Sequence, residues 1–341
     1  MVLSLVLLGC VNENNLVSPN AYEAQYNPPD LGVEQQVDRI TQVTVPAVDV
    51  LWVVDNSGSM QEEQALVRDN IDDFMRYFTD SGLDYHVGVV STDMQSRSES
   101  GQLIQDDSQG DRFITSDYSA QEAVASFKER ANLGIRGSSD ECGREAAYTA
   151  LTEPLINGVN KGFYRDDAVI STIVISDERD WSRDPSRNEF QNWYNSLKAS
   201  DDQTWFSAIV GPDGGCNSRN GNAEEGTDYL RLVEGIGGIA YSICEPDWSS
   251  VLEELGMQAA GLKREFFLSL APVESSIKVT VETDGDEKKK DKDEWSYDPA
   301  RNSITFDSFV PEPLAVVSIT YDVLSSASTG GQLTDTAVVE E

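Results

Sequence analysis

The sequence predicts an α/β protein. Residues 45–263 should form a doubly wound, mostly parallel sheet with helices on both faces, and residues 264–324 a small all-β domain resembling a sandwich. Three observations carry this. From Val48 onward, short apolar runs alternate with amphipathic stretches, and strands separated by helices imply parallel pairing through right-handed crossovers. Beyond residue 263 the pattern changes to short alternating runs broken by Pro, Gly and Asp, as antiparallel strands require. A tight polar turn directly follows the first buried run, at the strand end where open α/β sheets place their ligands.

Residues 48–54 are a continuous β-rich run suited to a strand buried on both faces. Over 62–78, Leu66, Ile71, Phe74, Met75 and Phe78 recur at helical spacing, with Ser59 as the candidate N-cap. Residues 87–90 predict the second strand, followed by a polar loop with a small hairpin around Leu103 and Phe113. Helices are expected over 120–131, 143–155, 188–197, 228–234 and 248–262, and strands over 168–175, 205–210 and 239–243. In the second domain strands are expected over 266–270, 277–282, 295–297, 303–306 and 315–321. Residues 284–294 hold six acids against four lysines and read as a mobile β-turn insertion, since Lys288 falls where an EF-hand needs an oxygen ligand. Residues 325–341 lack periodicity and predict a loose terminus.

The chain has 341 residues with 25 Lys and Arg against 60 Asp and Glu, a formal net charge of −35. That sign argues against nucleic acid or an anionic membrane surface as a direct partner. With 39% hydrophobic residues there is enough apolar material for a full core, so the charge does not mark a disordered chain. Residues 1–263 carry 44 acids and 18 bases, and residues 264–341 carry 16 and 7. The excess is therefore a general surface property, suited to a salty or extracellular medium.

Residues 2–9 form an apolar run ending at Cys10, too short to span a bilayer as a helix. Leu7-Leu8-Gly9-Cys10 resembles the lipobox of bacterial lipoproteins, although no Lys or Arg precedes Arg39. The resemblance implies a signal over 1–10, lipidation at Cys10, a polar tether over 11–44, and export to the outer membrane or cell surface. Contact with the membrane would then run only through the lipid. An oxidising compartment favours one disulfide among Cys142, Cys216 and Cys244. Cys216 lies in a Gly-rich loop just after one strand and Cys244 just after another, so the expected pair is Cys216 with Cys244, leaving Cys142 free.

The segment Asp55-Asn56-Ser57-Gly58-Ser59-Met60 carries the chemistry. One carboxylate and two hydroxyls, spaced two apart on a turn tightened by Gly58, can converge on a hard cation such as Mg²⁺, with Ca²⁺ or Mn²⁺ as substitutes. Asp-x-Ser-x-Ser after an apolar strand resembles the metal-ion-dependent adhesion site of the von Willebrand factor A family. The resemblance extends over residues 45–263 and implies that Asp177, at the end of a later strand, belongs to the site. The family also supplies a threonine from a loop before a helix, and residues 137–143 contain none. Framing on Gly143 makes Ser138 the match, with Ser139 or Glu141 as alternatives. A glutamate there would make the site more anionic and hold the ion more tightly without a partner. Thr92, Asp93 and Glu178 should face the same rim, supporting the ligands or touching the partner. The pattern around Tyr85–Met94 and the β segment with Trp295 and Tyr297 resembles lipid-anchored A-domain proteins of bacteria.

The family resemblance implies binding of a protein or surface ligand that offers an acidic side chain to the cation. The lone histidine, His86, lies in an apolar context and makes a multi-histidine metal centre or a Ser-His-Asp site improbable, so a non-enzymatic role is expected. Two other readings are a metal-assisted hydrolase with Asp93 or Glu178 as base, and an envelope assembly factor that docks through its β-domain.

Overall fold

The computed structural model describes residues 31–42, 47–79, 82–106, 110–200, 203–218, 221–307, 310–312 and 314–326. Their order begins β1 (Leu31–Thr41), β2 (Ala47–Val54), α1 (Gln61–Thr79), β3 (Asp84–Ser91), β4 (Ile114–Thr115), α2 (Ala120–Arg130) and α3 (Gly143–Ala150). It continues with β5 (Val169–Ser176), α4 (Arg187–Asn195), β6 (Thr204–Val210), β7 (Cys216–Asn217), β8 (Asn222–Ala223), α5 (Thr227–Ile236), β9 (Ala240–Ser242) and α6 (Trp248–Ala259). The remainder is β10 (Glu265–Phe267), β11 (Lys278–Thr283), β12 (Asp286–Lys290), β13 (Trp295–Asp298), β14 (Ser303–Phe306) and β15 (Val316–Ser326).

The fold is α/β, as expected. Six strands form one sheet in the order β4-β3-β2-β5-β6-β9, parallel throughout except for the short edge strand β4. Side chains of β2 alternate between two buried layers, which is why its sequence is apolar at nearly every position. Val50 and Trp52 join Phe74 and Phe78 of α1, Phe127 of α2 and Trp248 and Leu255 of α6 on one face. Leu51 and Val53 join Ala147 of α3, Phe190 and Tyr194 of α4 and Tyr229 and Leu232 of α5 on the other. Trp52 meets Phe74 and Phe127 edge-on at ring distances of 4.9 and 5.2 Å.

Two expectations change and one holds. The hairpin around Leu103 and Phe113 reduces, among the described residues, to β4 beside β3, with Leu103 buried in irregular chain. The helix expected over 143–155 stops at Ala150 and continues as turns, as a proline at 154 without an N–H favours. His86 packs as expected, its ring 4.7 Å from that of Phe113 and its Nδ1 2.8 Å from Phe163 O.

Two antiparallel sheets, β1-β15-β11-β12 and β10-β14-β13, enclose a separate core of Phe266, Val279, Trp295, Ile304, Phe306, Val317 and Ile319. Residues 31–41, expected within the tether over 11–44, instead pair along the whole of β15, and Ile40 packs against this core. Residues 284–294, expected as a mobile insertion, contain β12, whose lysines line a sheet edge and discourage further pairing there. β15 likewise runs to Ser326, past the expected end at Tyr321. The α/β unit is thus inserted between the first strand of the sandwich and the rest. Buried Gln42 ties the two crossings together: its Nε2 donates to Lys263 O at 2.8 Å and Pro311 O at 3.2 Å, and its Oε1 accepts from Lys263 N at 3.3 Å.

Candidate functional site

Strands β2, β3 and β5 end at one edge of the parallel sheet, and the polar residues that follow them share that edge. Asp55 leaves β2 with its N–H bonded to Ile175 O at 3.0 Å, so the ladder runs one residue past the strand and holds the carboxylate beside β5. Its Oδ1 accepts from Ser57 N at 2.7 Å, the local turn that aspartate makes with the backbone two residues on. Its Oδ2 accepts from Ser176 Oγ at 2.6 Å. Ser57 Oγ and Ser59 Oγ lie 3.2 Å apart. Ser59 therefore serves the turn rather than capping α1.

Gln64, buried in the first turn of α1, donates to Asp55 O and Gly134 O, each at 2.9 Å, and joins the turn to the loop before α3. In that loop Gly137 N donates to Asn56 O at 2.8 Å, and a Cβ at Gly137 would fall 2.1 Å from Asn56 Oδ1. A side chain at 137 would push the Asn56 amide away from its bond to Glu99.

Of the three candidates for the threonine position, Glu141 is the one brought to Asp55. Its buried carboxyl accepts from the Thr92 hydroxyl, and the Asp55 carboxylate is near enough to raise its pKa. Trp181 N donates to Glu141 O at 2.7 Å and Cys142 N to Thr92 O at 3.1 Å, which locks this loop against the ends of β3 and β5. Ser138 instead accepts from Asp140 N at 2.9 Å through its hydroxyl, and Ser139 is exposed. Asp93 is occupied by backbone: Oδ1 accepts from Gln95 N and Ser96 N, and Oδ2 from Ser138 N at 3.1 Å. With both oxygens engaged it is poorly set to act as a general base.

Five carboxyls gather here: Asp55, Glu63, Glu141, Asp177 and Glu178. Burial is the largest influence on each and raises its pKa, and neighbouring carboxylates raise it further. Asp55 is pushed up to about 6 and Glu63 and Glu178 to about 7. Glu141, with Asp55 and Glu178 beside it, is pushed up to about 9. Among the described residues no Lys, Arg or His pairs with any of the five; Arg144 pairs with Asp180 at 2.8 Å and Arg179 with Glu224 at 2.7 Å. Glu63 Oε2, Glu141 Oε1 and Asp177 Oδ1 are buried without a hydrogen-bond partner among the described residues.

Among those residues no three His, Cys, Asp or Glu side chains form a metal-binding group by themselves, so a cation here would draw on hydroxyl oxygen as well. Asp55, Ser57, Ser59, Glu141 and Asp177 offer the hard oxygen donors that Mg²⁺, Ca²⁺ or Mn²⁺ take. Glu63, Gln64 and Ser176 escaped the sequence reading. Acids in a first helical turn usually answer the helix dipole, and no spacing rule marks a strand-end serine or a helical glutamine as a site residue.

Cys216 and Cys244 are bonded to each other and Cys142 is an unpaired, half-buried thiol, as expected. Cys10 lies outside the described residues. Among those residues no helix is long and apolar enough to cross a membrane.

No protein-family model and no curated protein matches the chain. Similar solved structures include a von Willebrand factor type A protein from Catenulispora acidiphila at 13% identity and a TM-score of 0.42, covering 87% of this chain and 65% of that one. Proximal thread matrix protein 1 from the mussel byssus is similar at 14% identity and a TM-score of 0.40, over 68% of this chain and 52% of that one. The pilus adhesin SpaC from Lactobacillus rhamnosus GG is similar at 11% identity and a TM-score of 0.44, over 86% of this chain and 42% of that one. The chain thus spans less than two thirds of the length of each.

Proposed function

We propose that the chain is a von Willebrand factor A type adhesion module that binds a macromolecular partner through a divalent cation, with Mg²⁺ as the first candidate. Asp55, Ser57, Ser59 and Glu141 would hold the ion, with Asp177 beside them. The observation that supports this best is the set of five carboxyls without a cationic side chain, three of them with orphaned buried oxygens. Burying such groups without compensation is costly, and a divalent ion would remove the cost. The ion would keep an open coordination position, which an acidic side chain of the partner can fill, so binding would depend on the metal. Glu141, in the place of the threonine, would give up its proton to the ion and so add a negative ligand that strengthens the hold before a partner arrives.

The lipobox-like Leu7–Cys10 supports export and lipid anchoring in the bacterial envelope, and the Cys216–Cys244 bridge suits an oxidising compartment. The test is a pull-down from envelope and surface extracts with Mg²⁺ or with chelator. A partner is expected that is retained only with metal and is lost in Asp55→Ala while far-ultraviolet circular dichroism is unchanged. A partner list indifferent to both would sink the reading.

A further inference from the structure

We propose that Arg144 is a positioning residue of the site: its buried guanidinium ties the segment that carries Glu141 to the segment that carries Asp177 and Glu178, and so holds the cation's ligands in place before the ion arrives. The proposal rests on the metal-binding reading above and concerns how the site is kept ready.

Arg144 stands three residues after Glu141, in the first turn of α3, and Asp180 stands three residues after Asp177, in the chain that leaves β5. The two side chains are buried and meet at 2.8 Å, Nη1 to Oδ2. Arg144 Nε donates to Pro185 O at 3.1 Å and Nη2 to Ser182 O at 2.5 Å, so one planar fork spans residues 180–185. Ser182 Oγ in turn donates to Asp180 Oδ1 at 2.6 Å and accepts from Glu145 N at 2.9 Å. Helix α5 joins the same network: the Tyr229 hydroxyl accepts from Gly143 N at 3.1 Å and donates to Asp180 Oδ1 at 3.4 Å. A Cβ at residue 143 would fall 2.6 Å from that hydroxyl, so the first residue of α3 has no room for a side chain.

These contacts oppose a repulsion that the site itself creates. The Glu178 carboxylate disfavours charge on Glu141, and Asp140, next to Glu141, disfavours it on Glu178. With no ion between them, the two segments are driven apart as those acids ionise. A buried ion pair adds little net stability, because desolvating two charges offsets their attraction. It does fix an arrangement, since any movement that separates the segments leaves a buried charge unpaired. Groups that orient metal ligands from behind typically govern affinity by roughly 10–100-fold. The pair of Arg165 with buried Asp49, also at 2.8 Å, offers a contrast: Asp49 lies on β2 six residues before Asp55, towards the opposite edge of the sheet.

The test compares Arg144→Lys with wild type in the full chain by two readouts: hydrogen exchange in chelator over residues 137–143 and 177–185, and Mg²⁺ affinity by titration calorimetry. Lysine keeps the charge and loses the fork. Exchange of both segments should quicken about tenfold while β2 and β5 exchange as in wild type, and the Mg²⁺ dissociation constant should rise about tenfold. Saturating Mg²⁺ should restore wild-type exchange. Tyr229→Phe, which removes only a hydroxyl, should move both readouts the same way by less, and it carries the test if Arg144→Lys does not fold. Arg165→Lys should lower the urea midpoint and leave both readouts unchanged. Exchange that quickens equally over the whole chain, or wild-type values of both readouts in Arg144→Lys and Tyr229→Phe, overturns the positioning role, while Mg²⁺ binding by wild type keeps the metal reading. If wild type takes up no Mg²⁺, Ca²⁺ or Mn²⁺, the metal reading falls and the role in metal affinity with it; faster exchange confined to the two segments then supports Arg144 as the tie between them.

Discussion

Glu141 keeps its proton to about pH 9 because burial and the carboxyls of Asp55 and Glu178 all disfavour its charge. The same causes hold Glu63 and Glu178 to about 7 and Asp55 to about 6. In the unfolded chain such groups ionise near pH 4. Between those values the folded state binds more protons than the unfolded one, so stability without metal falls as pH rises through the window. Thermal unfolding in chelator should therefore show a melting temperature that declines from about pH 5 to about pH 8. Mg²⁺ should reduce the decline, since ligands that have lost their protons bind metal best. Glu141→Gln should also flatten it. A melting temperature that rises over this range in chelator would contradict the arrangement. Asp55, Ser57 and Ser59 were legible because they lie within five residues of each other on one turn. Glu63, Gln64 and Ser176 were not, because each joins the site only when α1 and β5 are brought alongside β2.

Among the elements, those buried on both faces were the most readable, since each of their positions carries the apolar signal; β2, β5 and β6 match their expected spans to within a residue. Edge strands carry little of it. β12, Asp286–Lys290, is charged throughout, and β1 has Val33 and Val37 exposed, so neither resembles a strand until its neighbour is known. The Cys216–Cys244 bridge joins the chain after β6 to the chain after β9 across 28 residues. Closing a loop of that size in the unfolded chain is worth roughly 3.6 kcal/mol. The double variant Cys216→Ser and Cys244→Ser should lower unfolding stability by about that amount in urea titrations while Cys142→Ser changes little. Equal stability of the double variant under oxidising conditions would show that the bridge does not constrain the chain.

For the whole molecule, the insertion of the α/β unit into the sandwich makes the two crossings at Gln42 and Lys263 a shared structural point. Gln42→Ala would leave the backbone of Lys263 and Pro311 O without their buried partner, at a cost of about 1–3 kcal/mol. The expected result is a lower urea midpoint and faster proteolytic cleavage between the two parts. A midpoint and cleavage rate equal to wild type would mean that water replaces the glutamine without loss. The charge of −35 belongs to this scale too, being spread over both parts of the chain.

Local order along the chain determined the parallel sheet, the helices on its faces and the turn at Asp55, because periodicity and turn chemistry act over a few residues. Tertiary structure alone decided that residues 31–41 complete a sandwich on the far side of the inserted unit, that Glu141 rather than Ser138 meets Asp55, and that five carboxyls share one edge. Those outcomes depend on which distant segments come to lie side by side, and on burial that raises the cost of charge only once they do.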